Sequence, residues 1–315
     1  MSALVFAIPS KGRLKEQAEE YLAACGLKLQ QEGRGYSGRF AALPQIDVRL
    51  MSSSEIASAL RDGKVHVGIA GEDLLREGEP AMTRVALLQP LGFGRADLVV
   101  ATPQCWVDVA VMADLDDVAH TFRARTGARL RVATKYLALT RGFFDQHGID
   151  DYRLVESQGA TEGAPTAGAA EAIVDITTTG STLAANHLKI LDDGVILRSH
   201  AHIAASRAAI WNEQNLTMLR ALMDAVDSRA RALDIGLLSV TIGAANASNL
   251  VRIAEKAGCS LFDDGEALVF ECPAARVEEA SSALLSGGAA RVIAGPRHGA
   301  KTSLEKFRGE CLKFA

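Results

Sequence analysis

The sequence predicts an α/β fold followed by a smaller α+β domain. Three observations carry that expectation. From residue 4 to about residue 205, short apolar runs alternate with stretches of helical periodicity, the pattern of strands and helices layered on largely parallel sheets. Residues 206–232 then form a polar-rich helical stretch without Gly or Pro, which reads as a connector. Beyond it the runs follow the order strand, helix, strand, strand, helix, strand, that of a ferredoxin-like split unit. With 315 residues, 48% of them apolar, the chain has room for two or three domains with a sizeable core.

Residues 4–8 are a compact apolar run ending in Pro9-Ser10-Lys11-Gly12, and Leu14, Ala18, Leu22 and Cys25 then share one face of a helix. Residues 46–50 read as a strand, Ser52-Ser53-Ser54 as a capping cluster and residues 55–61 as a helix. Further strands are expected at 65–69, closed by Gly71-Glu72-Asp73, and at 97–102 and 130–134. Residues 169–171 read as a helix start that passes into a strand at 172–176. In the last domain the strands fall at 238–242, 259–262, 267–271 and 291–294, and the helices at 248–257 and 276–285.

Charge and cysteine usage exclude several classes. A net charge of −4 argues against a general nucleic-acid binder, although a local basic pocket for a phosphorylated small molecule remains compatible with it. Five scattered cysteines with no Cys-x-x-Cys spacing read as reduced thiols of a cytoplasmic protein. The first apolar run lacks a basic flank and is interrupted by Pro9, so it reads as a buried strand and not a signal peptide. No apolar stretch approaches the ~20 residues needed to cross a bilayer. His66, His120, His147, His187 and His298 show no ligand pattern.

The most informative run is Asp175-Ile176-Thr177-Thr178-Thr179-Gly180-Ser181-Thr182-Leu183. An apolar strand delivers a carboxylate, then a hydroxyl-rich loop with one glycine, then a helical stretch. Phosphate recognition needs backbone N–H groups and short side chains that allow close approach. Gly180 permits a tight turn, and Thr178, Thr179, Ser181 and Thr182 add hydroxyl donors. Taken alone, the loop fits a Thr-rich turn that caps a helix equally well.

The wider segment from Glu162 to Leu183, with Gly168, Asp175, Gly180 and Thr182 at fixed places, resembles the signature of ATP phosphoribosyltransferases over its full length. Ordinary phosphoribosyltransferases place two adjacent acidic residues before their loop, whereas Val174 precedes Asp175 here. Ile8-Pro9-Ser10-Lys11-Gly12-Arg13-Leu14, Val67-Gly68-Ile69-Ala70-Gly71-Glu72-Asp73, Phe93-Gly94-Arg95 and Arg131-Val132-Ala133-Thr134-Lys135-Tyr136 resemble the same family in the same order. The stretch Met51-Ser52-Ser53-Ser54-Glu55-Ile56 departs from the family's usual acidic residue and Pro.

The resemblance implies a two-lobed catalytic region similar to a type II periplasmic binding protein. Lobe I would comprise residues 1–96 and 184–205, and lobe II residues 97–183. A connecting helix at 206–232 and a regulatory or oligomerisation domain at 233–315 would follow. It implies transfer of the phosphoribosyl group from phosphoribosyl pyrophosphate to N1 of ATP, with Mg²⁺ held mainly through substrate oxygens. Phosphoribosyl pyrophosphate would sit on Thr178, Thr179, Gly180, Ser181 and Thr182, with Asp175 on the ribose hydroxyls. ATP would meet Lys11, Gly12, Arg13, Arg49 and Glu72; Asp175 and Arg13 would be the catalytic residues. Arg34 and Arg39, in a Gly-rich segment, suit a loop that closes over a ligand. Asp73 fits a nucleotide or metal contact or a helix N-cap, and Tyr136 reads as a packing residue. Histidine as feedback inhibitor and a homo-oligomer, dimer or hexamer, complete the implied set, with no membrane or nucleic acid as partner. The competing reading is a two-lobed small-molecule binding protein without catalysis.

Overall fold

A computed structural model describes residues 3–31, 35–157, 159–243, 246–263 and 267–296. The chain forms two compact units: a larger one up to Met218, and a smaller one from Leu219 onward that also includes Ala24–Leu27.

The larger unit holds two sheets. β1 (Leu4–Pro9) leads into α1 (Gly12–Ala24), β2 (Leu29–Gln31), β3 (Ser37–Phe40), β4 (Ile46–Met51), α2 (Ser53–Arg61), β5 (Val67–Gly71), α3 (Glu72–Gly78) and β6 (Val85–Pro90). The chain then crosses to β7 (Ala96–Pro103), α4 (Met112–Thr126), β8 (Leu130–Thr134), α5 (Leu137–Gln146), β9 (Tyr152–Glu156), β10 (Ala172–Thr177), α6 (Ser181–Ala185) and β11 (Leu188–Ser199). It returns as β12 (Ala201–Ser206) and continues into α7 (Glu213–Asp234).

The first sheet runs β2-β3-β4-β1-β5-β12-β6 and the second β11-β7-β10-β8-β9. Leaving out the β2–β3 hairpin, both have one plan. Three parallel strands (β4, β1 and β5, or β9, β8 and β10) are followed by one antiparallel strand and a last strand beyond it. That antiparallel strand is in each case the one arriving from the other lobe, β12 in lobe I and β7 in lobe II. The sheets are therefore mixed, not largely parallel as expected: a chain that passes between lobes twice must enter each sheet against the direction of its βαβ strands.

Burial explains which runs were legible. All six residues of β1 are buried, so a strand covered on both faces reads as a continuous apolar run. Phe6 packs its ring 5.7 Å from that of Phe40, and Val5 and Ala7 join Ile56, Leu60, Val65 and Leu75 in the lobe I core. In lobe II, Leu98, Val100, Leu115, Val132, Tyr136, Phe144 and Val174 share one core. The Ser52 cluster caps α2 as expected. Glu55 donates its amide to Ser52 Oγ (3.3 Å), and the Glu55 carboxylate takes the Ser52 amide (2.8 Å), a reciprocal capping box.

Several expected boundaries move. Lobe II does not end at 183, because β11 pairs with β7 and keeps the chain there until Ser199; the return to lobe I falls at Ser199–Ala201. Residues 169–171 are irregular and not helical, and the strand starts at Ala172. Ser206 ends a strand and the connecting helix begins only at Glu213. Of the Gly-rich segment expected to close over a ligand, Gly33 and Arg34 lie outside the described residues, while Ser37–Phe40 is a strand held between β2 and β4.

His66 is a core histidine. Its Nδ1 accepts the Val5 amide at 3.1 Å and its Nε2 faces the Ile210 carbonyl at 3.2 Å, the arrangement of a neutral ring protonated on Nε2. Burial holds its pKa below the ordinary 6.5. The unfolded chain therefore takes up this proton first as pH falls, so the stability is complete above the ordinary value and declines below it. Thermal denaturation across that range should show a drop in Tm that His66→Gln flattens. An unchanged pH profile in the variant would assign the drop elsewhere.

The smaller unit contains β13 (Ile235–Ile242), α8 (Ala247–Lys256), β14 (Ser260–Asp263), β15 (Leu268–Pro273), α9 (Val277–Ser286) and β16 (Ala289–Pro296). Its sheet order β14-β15-β13-β16 is antiparallel throughout, as a ferredoxin-like unit requires. Leu238, Val240, Leu250, Ala254, Phe270 and Leu284 form its core. Cys259 and Cys272 are bonded within that core, which corrects the expectation of reduced thiols throughout. They meet because β14 folds back on β15, a juxtaposition that no sequence spacing announces. No helix among the described residues is long and apolar enough to cross a membrane.

Candidate active site

In lobe II the polar residues gather where the parallel strands end. β10 buries Ala172, Ile173 and Val174 and then emerges at Asp175. Burial pushes the Asp175 carboxyl above its ordinary range; the Ile176 amide, donated to Oδ1 at 2.8 Å, and the positive charge of Lys135 oppose that shift, while Glu162 adds to it.

The chain next turns through Thr177–Gly180. Gly180 has φ +74°, the left-handed conformation that favours glycine. Thr177 Oγ1 fixes the turn by accepting the Gly180 amide at 2.8 Å, and Thr178 donates its hydroxyl to the Arg95 carbonyl at 3.3 Å. Thr179 and Ser181 join their hydroxyls at 2.9 Å. The amides of Thr178, Thr179, Thr182 and Leu183 make no hydrogen bond among the described residues. Thr178, Thr179, Ser181 and Thr182 are exposed. A turn with unpaired amides and exposed hydroxyls can take an anion's oxygens without displacing an internal bond.

Lobe I brings Lys11, Gly12 and Arg13 to the end of β1, all exposed. Neither cation has an ion pair among the described residues. Arg49 is not at a strand end. It sits inside β4, on an exposed position, bound to Asp47 at 3.2 Å. Glu72 opens α3 and is held by Arg76 at 2.6 Å. The expected ATP contacts therefore divide into a free pair, Lys11 and Arg13, and two residues with partners of their own.

The chain passes between the lobes at residues 92–95 and at Ser199–His200, and these passages are bonded to each other: Ala201 N donates to Phe93 O (3.0 Å) and Leu91 N to Ala201 O (2.9 Å). Gly94, at φ +65°, leaves its neighbours so close that an added Cβ would stand 3.0 Å from Ala201 Cβ and from Leu14 Cδ1.

Sequence reasoning missed three polar groups here. Asp73 is not the cap of α3, since Gly71 holds that position; its carboxylate is buried and accepts the hydroxyls of Tyr136 (2.7 Å) and Ser199 (2.8 Å). Tyr136 packs in the core, as expected, but also makes that bond. Burial and the Asp73 charge push its hydroxyl far above its ordinary pKa. Glu77 accepts the Ala138 amide at 2.8 Å and the Leu139 amide at 3.0 Å. The only sequence signal was two acids four apart in a short helix.

Residues 52–227 match the family described as HisG: ATP phosphoribosyltransferase. An ATP phosphoribosyltransferase of Caulobacter vibrioides is 60% identical over 232 residues, covering 73% of this chain and 72% of the relative. One of Rhodopseudomonas palustris is 50% identical over 295 residues, covering 91% of each. Among solved structures, a chain of the ATP phosphoribosyl transferase (HisG:HisZ) complex from Thermotoga maritima matches with a TM-score of 0.53 at 25% identity, covering 71% of this chain and 98% of that one. The loop after β10, the two-lobed topology and these matches agree: the chain belongs to the ATP phosphoribosyltransferases, the family of the first step of histidine biosynthesis.

Proposed function

We propose that the loop from Thr178 to Thr182 seats the 5′-phosphate of phosphoribosyl pyrophosphate and that Asp175 accepts hydrogen bonds from the ribose hydroxyls. The observation that carries this reading is the set of unpaired amides directly after a half-buried carboxylate at the end of a central strand. The family's reaction moves the phosphoribosyl group to N1 of ATP and releases pyrophosphate. It asks little acid–base chemistry of the protein: the ribosyl centre gains positive character and adenine N1 attacks the face opposite the leaving group. Positioning and electrostatics therefore supply the catalysis. The loop fixes the phosphate end, Asp175 fixes the ribose and stands near its developing charge, and Lys11 and Arg13 neutralise the ATP triphosphate.

The family uses a divalent metal, which we assign as Mg²⁺. No three His, Cys, Asp or Glu side chains come together as a metal site among the described residues. The donor set fits an ion carried mainly on substrate oxygens, with Asp175 the carboxylate within reach of them. Such an ion, when bound, would neutralise charge on the departing pyrophosphate.

Transfer of labelled phosphoribosyl from phosphoribosyl pyrophosphate to ATP tests the reading; binding of either ligand without transfer would favour the non-catalytic alternative. Arg13→Ala should raise KM for ATP by roughly tenfold or more, the loss of a charge-assisted contact worth about 1.5–3 kcal/mol. Arg49→Ala should do less, because Asp47 already occupies that guanidinium. Normal ATP affinity in both variants would place the nucleotide elsewhere.

We further assign histidine sensing and homo-oligomer assembly to the smaller unit, and a cytoplasmic location to the enzyme. Antiparallel sheets with helices on one face can pair by their edges and hold small ligands between copies. Removing residues 233–315 should abolish inhibition by histidine and reduce the oligomer seen by light scattering. Histidine without effect on the intact enzyme would end the sensing assignment.

A further inference from the structure

We propose that Asp73 is a positioning residue that, with Tyr136 and Glu77, ties lobe I to Lys135 and the start of α5, beside the strand that carries Asp175 at the substrate site. The proposal rests on the reading above, in which Asp175 serves the ribose.

The link begins on α3, in lobe I. Asp73 and Glu77 are four residues apart and so share one helix face. Both reach into lobe II. Glu77 takes the amides of Ala138 and Leu139 in the first turn of α5, where a helix leaves N–H groups without internal partners and favours negative charge. Asp73 takes the Tyr136 hydroxyl one residue before that helix. Its other oxygen accepts Ser199 Oγ, which in turn accepts the Asp73 amide at 3.0 Å. Ser199 lies in the second passage between lobes. A single helix of lobe I thus holds the start of α5 and one of the two crossings.

What α3 holds is attached to the site. α5 follows directly on β8 through Lys135 and Tyr136. β8 lies beside β10 with Val132 facing Ala172 and Ala133 facing Ile173, an offset of 40. At one end of the pair that offset gives the Arg131–Glu171 ion pair, at 2.5 Å. At the other end Lys135 follows β8 directly, beside the strand that carries Asp175, and its positive charge opposes the rise in that carboxyl's pKa. The Lys135 Nζ stands 4.9 Å over the Tyr136 ring, within range of a cation–π contact. The hydroxyl end of Tyr136 is therefore fixed by lobe I, and its ring face supports the Lys135 cation. A change of lobe angle that separates α3 from α5 must break both carboxylate contacts and release Lys135 from its support.

A purely structural reading has to account for a buried carboxylate with no cation partner among the described residues. Burial of such a group costs stability unless its hydrogen bonds are made, and a network of this kind specifies geometry more than it adds stability.

Kinetics on the full-length enzyme separate the two. Tyr136→Phe keeps the ring and removes only the hydroxyl, so kcat should fall about 10- to 100-fold through misplacement of the reacting groups, with KM for ATP within about threefold of the parent. Asp73→Asn should do the same, and the double variant should be no worse than the more impaired single one. Glu77→Gln reads the link through its other contact and should also lower kcat. Parent-like kcat in Tyr136→Phe and Glu77→Gln, with only Tm reduced, overturns the proposal; where Tyr136→Phe does not fold, Glu77→Gln alone decides. Asp175→Asn, assayed beside them, distinguishes the failures. If its kcat falls while the others turn over normally, only the positioning link is lost. If it too turns over normally, the reading of the site is lost.

Discussion

Gly180→Val is expected to abolish measurable binding of phosphoribosyl pyrophosphate while the fold survives. The reason is conformational and not a matter of room. The nearest atom to an added Cβ is Ile190 Cδ1, at 3.8 Å, an ordinary contact. The backbone at φ +74° is what a β-branched residue resists, and even an unbranched one would be strained by roughly 1–2 kcal/mol. The cheapest relief is to flip the turn, and that redirects the unpaired amides of Thr178, Thr179 and Thr182. The turn's exposure leaves the sheet behind it undisturbed, so Tm should fall by only a few degrees for a change of about 1–2 kcal/mol. Asn, which tolerates this conformation, should retain part of the affinity. Calorimetric titration decides: near-parent affinity in the Val variant removes the loop from the phosphate site.

Asp175→Asn is expected to lower kcat by roughly 10- to 100-fold, the equivalent of about 1.5–3 kcal/mol for hydrogen bonds to a charged acceptor, and to leave ATP binding unchanged. Its effect on stability should have the opposite sign to that of a structural aspartate. Burial raises this carboxyl in the folded protein, so the folded state holds the proton more firmly than the unfolded chain. The stability that follows is present at low pH and is lost as pH rises through the raised value. At neutral pH the ionised carboxylate is thus a cost, and the neutral amide should leave Tm unchanged or higher. A parent-like rate with a large fall in Tm would make Asp175 structural.

What the sequence revealed and what it hid follow burial and contact distance along the chain. β1, β5, β7 and β10 were legible because their cores are continuous apolar runs, β4 because Ile46, Val48 and Leu50 alternate with polar residues, and β8 because its apolar run is broken only at Arg131; Asp175 stood out because it ends an apolar run. β2 and β9 were missed because edge strands expose polar residues, and the short β3 because exposed and buried positions alternate over only four residues, Ser37–Phe40. β11 was hidden by its register shift at Asp192-Asp193-Gly194, and β12 by its small residues, which are buried by both neighbours and not by size. The hydroxyl-rich turn after β10 is a local motif and was legible as one. Asp73 meets Tyr136 across 63 positions and Ser199 across 126, and no local pattern distinguishes such an acid from a helix cap.

The way the two sheets share strands also sets an order of synthesis. The second sheet draws all its strands from Ala96–Ser199, a continuous stretch, whereas the first must wait for Ala201–Ser206 to fill the gap between β5 and β6. On the ribosome, which releases the amino terminus first, the lobe that begins the chain is therefore the later of the two to close. Until residue 206 emerges, β5 lacks a neighbour along one edge and β6 has none at all, and unpaired edges of this kind invite pairing with other chains. The nascent enzyme is most exposed to misassembly in that interval, and slowing translation only once Ser206 has left the ribosome should raise its soluble yield, whereas slowing it earlier should lower it.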